Sequence, residues 1–137
     1  MFKGFFDMFG KTSPLQQAFD RSVEMLQVDL QMFEAACRSL RRHDDAKLDI
    51  DIYASDQMIN AYEREVRRKV FTHLAITTER DLNAGLVLVS VVIDIERIGD
   101  YTKNIVELAL HHPNRLEGGR FEQAVKRIET SVKTMFE

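Results

Sequence analysis

Two carboxylates, Glu96 and Asp100, stand four residues apart in the most informative stretch of the sequence, residues 94–105. In a helix this spacing places both side chains on one face, close enough to share a cation. Carboxylate oxygens are typical ligands of hard or borderline cations such as Mg²⁺, Mn²⁺ or iron. The pattern therefore indicates a cation site. The alternative is that the pair lies at a solvated helix end and forms ion pairs with Arg97 and Lys103.

The acidic pair interrupts an apolar seam. Four apolar residues precede it at helical steps of three and four: Leu82, Leu86, Val89 and Ile93. The same steps continue to Glu96 and Asp100, where like charges are unfavourable unless a cation or solvent compensates them. A second apolar series runs along the same helix: Ala84, Leu88, Val91, Ile95, Ile98, Thr102, Ile105 and Ala109. We therefore expect this helix to be covered on more than one side. Gly99, beside the pair, would let a neighbouring group approach closely.

Three motifs lie at characteristic distances along the chain. The first is the sequence Glu-Arg-Ile-Gly-Asp at residues 96–100, followed by Asn104. The second is Asp81-Leu82, fifteen residues before Glu96, and the third is the segment of residues 56–66. Together they resemble the PhoU family, phosphate-transport regulators whose repeat is a three-helix bundle, and residues 56–66 resemble its second-helix motif. The order and spacing of the three motifs make the resemblance specific.

The resemblance implies a cytoplasmic, non-enzymatic regulator of phosphate uptake and phosphate signalling that contacts a phosphate transporter or a sensor kinase. It also implies a divalent or trivalent metal ion, with Glu96 and Asp100 as the first ligands. Asp56, Asn60 and Asn104 are the second choices, although Asn60 stands where the family may carry another carboxylate. Two alternatives remain open from the residues: a metalloenzyme of the carboxylate-bundle kind, and a structural helical module without metal.

Apolar periodicity predicts an all-α fold: an antiparallel three-helix bundle followed by a fourth, C-terminal helix. The first helix should begin at Pro14, after a Ser13 cap, and end near Arg42. Its apolar series is Leu15, Phe19, Val23, Leu26, Leu30, Phe33, Cys37 and Leu40. The second helix should carry the series from Leu48 to Leu74. The third should have Glu79 in its first turn and run to about His111.

We divide the chain into an apolar N-terminal segment, residues 1–13, a PhoU-like repeat, residues 14–112, and a fourth helix, residues 118–137. The last segment resembles the start of a second repeat, so the chain is expected to be truncated rather than a natural short form completed by a partner. The apolar stripe from Phe121 to Phe136 has no second repeat to cover it. We therefore predict that the chain forms a homodimer.

Composition agrees with one helical domain and excludes several function classes. Of 137 residues, 45% are hydrophobic, and glycine and proline are sparse. The net charge of −3 gives no basic excess of the kind that nucleic-acid binders carry. The longest uncharged run, Leu82 to Ile93, is too short to span a membrane. No signal peptide is apparent, and the single cysteine, Cys37, suits a reducing compartment, so we expect a cytoplasmic location.

Overall fold

Helices dominate the structure, a computed structural model that describes residues 13–77, 81–112 and 114–136. The helices are α1, Pro14–Arg42; α2, Ile52–Ile76; α3, Leu82–His111; and α4, Glu122–Met135, which follows a 3₁₀ turn at Gly119–Phe121. All regular secondary structure in the described ranges is helical. The predicted all-α bundle with a fourth helix is confirmed.

Helices α1, α2 and α3 pack against one another, and α2 runs antiparallel to both of its neighbours. Lys69, late in α2, donates a hydrogen bond to Gln17, early in α1, at 2.7 Å. Leu74, at the end of α2, lies directly over Gly85 at the start of α3. Apolar side chains from all three helices fill the core, among them Leu15, Met25, Met32, Ile59, Val66, Val70, Leu88, Val92 and Val106. Burial of this apolar surface is the main contribution to the stability of the bundle.

The first two helices begin at side-chain caps. The Ser13 hydroxyl accepts a hydrogen bond from the amide of Gln16 at 3.1 Å, as predicted. Helix α2 begins at Ile52, later than the predicted Leu48. The reason is Asp51, whose carboxylate accepts a hydrogen bond from the third amide beyond it at 2.9 Å and so fixes the start of the helix.

Helix α3 has Leu82 as its first residue and Asp81 as its N-cap. The prediction that Glu79 lies in its first turn falls on residues 78–80, which lie outside the described ranges. The Asp81 carboxylate contacts the ring Nε2 of buried His73 at 2.8 Å, which ties the start of α3 to the end of α2.

The buried face of α1 has the predicted period but a different phase. Its buried positions include Leu15, Ala18, Ser22, Met25, Asp29, Met32, Ala36 and Ser39. Val23, which belongs to the predicted series, is exposed. Small side chains let neighbouring helices approach closely, and the bulkier Phe19 and Leu26 pack at the edge of the core. This phase places the carboxylate of Asp29 inside the bundle.

Only one of the two predicted seams of α3 forms a buried face. The buried positions are Ala84, Gly85, Leu88, Val92, Ile95, Gly99, Thr102, Val106 and Ala109. They include five residues of the second predicted series, whose Val91 is exposed. The first series is wrong as a buried seam, because Leu82 and Leu86 are exposed. Glu96 and Asp100 are half-buried, so they flank the core rather than interrupt it.

Helix α4 is attached to the C-terminal end of α1 mainly through polar contacts. The Arg41 guanidinium lies 2.6 Å from Glu122 and 3.0 Å from Glu129, and it donates a hydrogen bond to the carbonyl of Leu116 at 2.8 Å. The rings of Phe33 and Phe136 add an apolar contact, with centroids 6.4 Å apart.

The apolar N-terminal segment assigned to residues 1–13 lies outside the described residues, apart from Ser13. Among the helices that are described, none is long and apolar enough to cross a membrane.

Candidate functional site

Carboxylates from all three bundle helices converge near the middle of the bundle. We call this set the acidic cluster: Asp29 on α1, Asp56 and Glu63 on α2, and Glu96 and Asp100 on α3. The negative charges of Glu96 and Asp56 act on Asp29, and those of Asp100, Glu63 and Asp56 act on Glu96. Asp56, Glu96 and Asp100 were predicted from the sequence, whereas Glu63 and Asp29 were not.

Asp29 is the most deeply buried member of the acidic cluster. It is 0% exposed, and neither of its carboxylate oxygens has a hydrogen-bond partner among the described residues. Burial, and then the charges of Glu96 and Asp56, raise the pKa of Asp29 to about 8. At neutral pH the group therefore carries a proton, because a buried charge without a partner is strongly unfavourable.

Gly99 provides the space in which Asp29 lies. A Cβ atom at Gly99 would sit 3.1 Å from Oδ1 of Asp29 and 3.2 Å from Cδ1 of Ile59. The close approach predicted at this glycine is thus made by a carboxylate of α1 and an apolar side chain of α2. Both neighbours are completely buried, and a Cβ at this position would require one of them to shift by a few tenths of an ångström.

Lys103 forms a cationic bridge inside the acidic cluster. Its Nζ lies 2.8 Å from Oδ1 of Asp56 on α2 and 2.8 Å from Oδ1 of Asp100 on α3. These hydrogen bonds raise the pKa of Lys103, that with Asp100 most strongly. The sequence left open the alternative that Glu96 and Asp100 form ion pairs with Arg97 and Lys103. One of these ion pairs, between Asp100 and Lys103, is present. Arg97 pairs instead with Asp94, at 3.1 Å.

The charge of Glu96 is compensated only in part. Glu96 is half-buried and forms no ion pair or hydrogen bond within the described residues. Burial and the charges of Asp100, Glu63 and Asp56 raise the pKa of Glu96 above its ordinary value, although Lys103 opposes the shift. Glu63 is better compensated, because it pairs with Arg67 at 2.9 Å.

The two candidate asparagines differ in position. Asn60 donates a hydrogen bond from Nδ2 to Oδ2 of Asp56 at 3.3 Å, so it adjoins the acidic cluster. Asn104 is exposed on α3. The structure therefore brings Glu96, Asp100, Asp56 and Asn60 into one region and leaves Asn104 at the surface.

The donors of the acidic cluster suit a hard cation, since all are oxygens and those of Asp29 are unpartnered. The space between Asp56 and Asp100, however, is occupied by the ammonium group of Lys103. In the part of the chain that the structure describes, no three His, Cys, Asp or Glu side chains are placed to hold a metal ion. The donor types thus suit a hard cation, whereas the side chains as they are placed do not share one metal position.

Comparison with known proteins identifies the bundle. The family model described as the PhoU domain matches residues 23–109, well over half of the chain and parts of all three bundle helices. Searches among curated proteins and among solved structures found no match. The PhoU domain indicates a role like that of a phosphate-transport regulator. The three sequence motifs, the three-helix bundle and the family match agree, and the chain belongs to the PhoU family.

Proposed function

We propose that this protein is a regulatory interaction protein of phosphate uptake and phosphate signalling, which acts by contacting a phosphate transporter or a sensor kinase. The observation that carries the proposal is the PhoU domain at residues 23–109. The family is one of regulators rather than enzymes, so we assign the chain no catalytic activity of its own. The bundle offers the partner a helical surface, and we place this function in the cytoplasm.

We further propose that the acidic cluster binds a divalent or trivalent cation, with Mn²⁺, Mg²⁺ or iron as candidates. Glu96 and Asp100 are the first ligands, and Asp56, Asn60 and Asn104 remain the second. The support is chemical: carboxylates from three helices converge, and Glu96 has no partner among the described residues. A bound cation would neutralise this charge and hold α2 and α3 in a fixed relation, which stabilises the surface presented to a partner.

We also propose a homodimer formed through two apolar surfaces that the described chain leaves uncovered. One is the outer face of α4, where Phe121, Ile128 and Met135 are 58%, 63% and 83% exposed. The other is a groove of about 270 Å³ between α1 and α3, lined only by apolar surface and flanked by exposed Val23, Val87 and Val91. Exposed apolar patches of this kind favour association.

The charges around the two surfaces favour a second copy of this chain as the occupant. Exposed Arg120 and Arg127 immediately precede Phe121 and Ile128. The acidic residues that follow these two, Glu122 and Glu129, pair with Arg41. Exposed Asp20 and Asp94 lie one helical turn from the groove valines on α1 and α3. Basic residues beside one apolar surface and acidic residues beside the other are complementary. A reciprocal dimer would place α4 of each copy in the groove of the other.

The regulatory role is tested by phosphate uptake in cells of the natural host that lack this protein. We expect uptake in these cells no longer to adjust between low and high external phosphate. Expression of the chain should restore the adjustment, whereas the Glu96→Ala variant should not. Glu107→Ala, which removes an exposed carboxylate from the same helix, is the matched control and should restore it. Normal adjustment of uptake in cells without the protein would contradict the proposed role.

A further inference from the structure

Lys103 connects two carboxylates of the acidic cluster that lie on different helices. Its ammonium group lies at 2.8 Å from one carboxylate on α2 and at 2.8 Å from another on α3, Asp56 and Asp100. Arg67 pairs with Glu63, another member of the acidic cluster, and Arg97 pairs with Asp94 outside it. The bridge between the two helices is therefore made by Lys103.

The bridge satisfies only part of the acidic cluster. Asp29 is completely buried, lies within the electrostatic reach of Glu96 and Asp56, and has two oxygens without a hydrogen-bond partner. Glu96 likewise has no ion pair among the described residues. The Lys103 ammonium group thus pairs with two carboxylates, Asp56 and Asp100, while the carboxyl groups of Asp29 and Glu96 form no hydrogen bond or ion pair among the described residues. This unequal distribution leaves donors available for a second cation or for one of higher charge.

We propose that Lys103 is a built-in competitor of the metal ion: its ammonium group holds the place between Asp56 and Asp100, and a metal binds the acidic cluster only when Lys103 withdraws. This inference rests on the proposed metal site and adds its regulation. The lysine side chain is 24% exposed, so its long stem can carry the charged end out to solvent. A metal binds only to molecules in which Lys103 is displaced from the two carboxylates. The apparent metal affinity is therefore the intrinsic affinity multiplied by the fraction of such molecules.

The test is a calorimetric titration of Mn²⁺ into the full chain and into Lys103→Met and Lys103→Gln variants, at fixed ionic strength. Both substitutions remove the ammonium charge, and Gln retains an amide that can donate hydrogen bonds to the two carboxylates. Circular dichroism establishes that each variant is helical, and Gln serves if Met prevents folding. We expect both variants to bind Mn²⁺ at least about tenfold more tightly than the wild-type chain, because the competing state is removed.

Arg97→Met is the matched control, because it removes one positive charge from the exposed side of the same helix. It should leave the Mn²⁺ affinity close to the wild-type value. If the wild-type chain binds Mn²⁺ and neither Lys103 variant binds it more tightly than Arg97→Met does, Lys103 is not a competitor, although the metal site stands. If neither the wild-type chain nor the helical Lys103 variants bind Mn²⁺, the proposed metal site and this inference are both overturned.

Discussion

Replacement of Asp29 with Asn is expected to stabilise the protein at neutral pH, by an amount that grows as the pH rises. In the folded chain Asp29 has a pKa of about 8, whereas its unperturbed value is 3.8. The folded state therefore retains a proton that the unfolded state releases. Stability from this group is complete below about pH 4 and is lost as the pH rises towards 8. Asn fills nearly the same volume but cannot ionise.

The expected size of this effect is large. Each unit of pKa shift corresponds to about 1.4 kcal/mol, so the advantage of Asp29→Asn should increase by on the order of 4 kcal/mol between pH 4 and pH 7. Urea unfolding of metal-free protein at several pH values measures the difference. Asp20→Asn, an exposed carboxylate on the same helix, is the control and should show no such trend. Parallel stability curves for wild-type protein and Asp29→Asn would contradict the assigned burial of a neutral acid.

Ile128→Asp is expected to abolish self-association. Ile128 lies at the centre of the exposed face of α4, where a carboxylate would be desolvated on entering the groove between α1 and α3. Val91→Asp, on the groove side, should have the same effect. Thr130→Asp places the same charge on a different side of α4 and should leave the dimer intact. Light scattering at high micromolar protein concentration measures these masses.

The reciprocal arrangement makes a sharper prediction for mixed variants. A mixture of Ile128→Asp and Val91→Asp proteins can form a heterodimer that keeps one of the two helix-in-groove contacts. We therefore expect weak association in the mixture and monomers in each variant alone. A wild-type chain that is monomeric at high micromolar concentration would contradict the dimer. Disruption by Ile128→Asp together with an unaffected Val91→Asp would show that α4 pairs with a different surface.

The sequence predicted the helices and their family because both depend on local, repeated signals. The apolar period fixed the helical class, and Ser13 with Pro14 marked the start of α1. The later start of α2 depends on Asp51, whose carboxylate forms the cap. The Asp81 carboxylate makes no cap hydrogen bond and contacts His73 instead. Because His73 is distant along α2, this contact could not be read from local spacing.

The candidate site was predicted less completely, because Asp29 was missed. Whether Asp29 faces the core depends on which face of α1 is buried. The bulky apolar residues of α1 suggested a face through Phe19 and Val23, whereas the structure buries the small Ala18 and Ser22. A series of alternating steps of three and four through those small residues reaches Asp29, and this was the available signal. The bridge made by Lys103 depends on the approach of α2 to α3, which one sequence does not give.

The central claim is that the acidic cluster is a cation site, and paramagnetic broadening by Mn²⁺ tests it most directly. In amide NMR spectra of the isotope-labelled chain, substoichiometric Mn²⁺ should broaden the signals of Asp29, Ile59 and Gly99, which surround the cluster. The signal of Glu129 on α4, which pairs with Arg41 at the end of the bundle, should stay sharp. Glu96→Ala should remove the selective broadening while leaving the helical spectrum intact. Broadening that is absent, that is uniform over the chain, or that persists in Glu96→Ala would contradict the account.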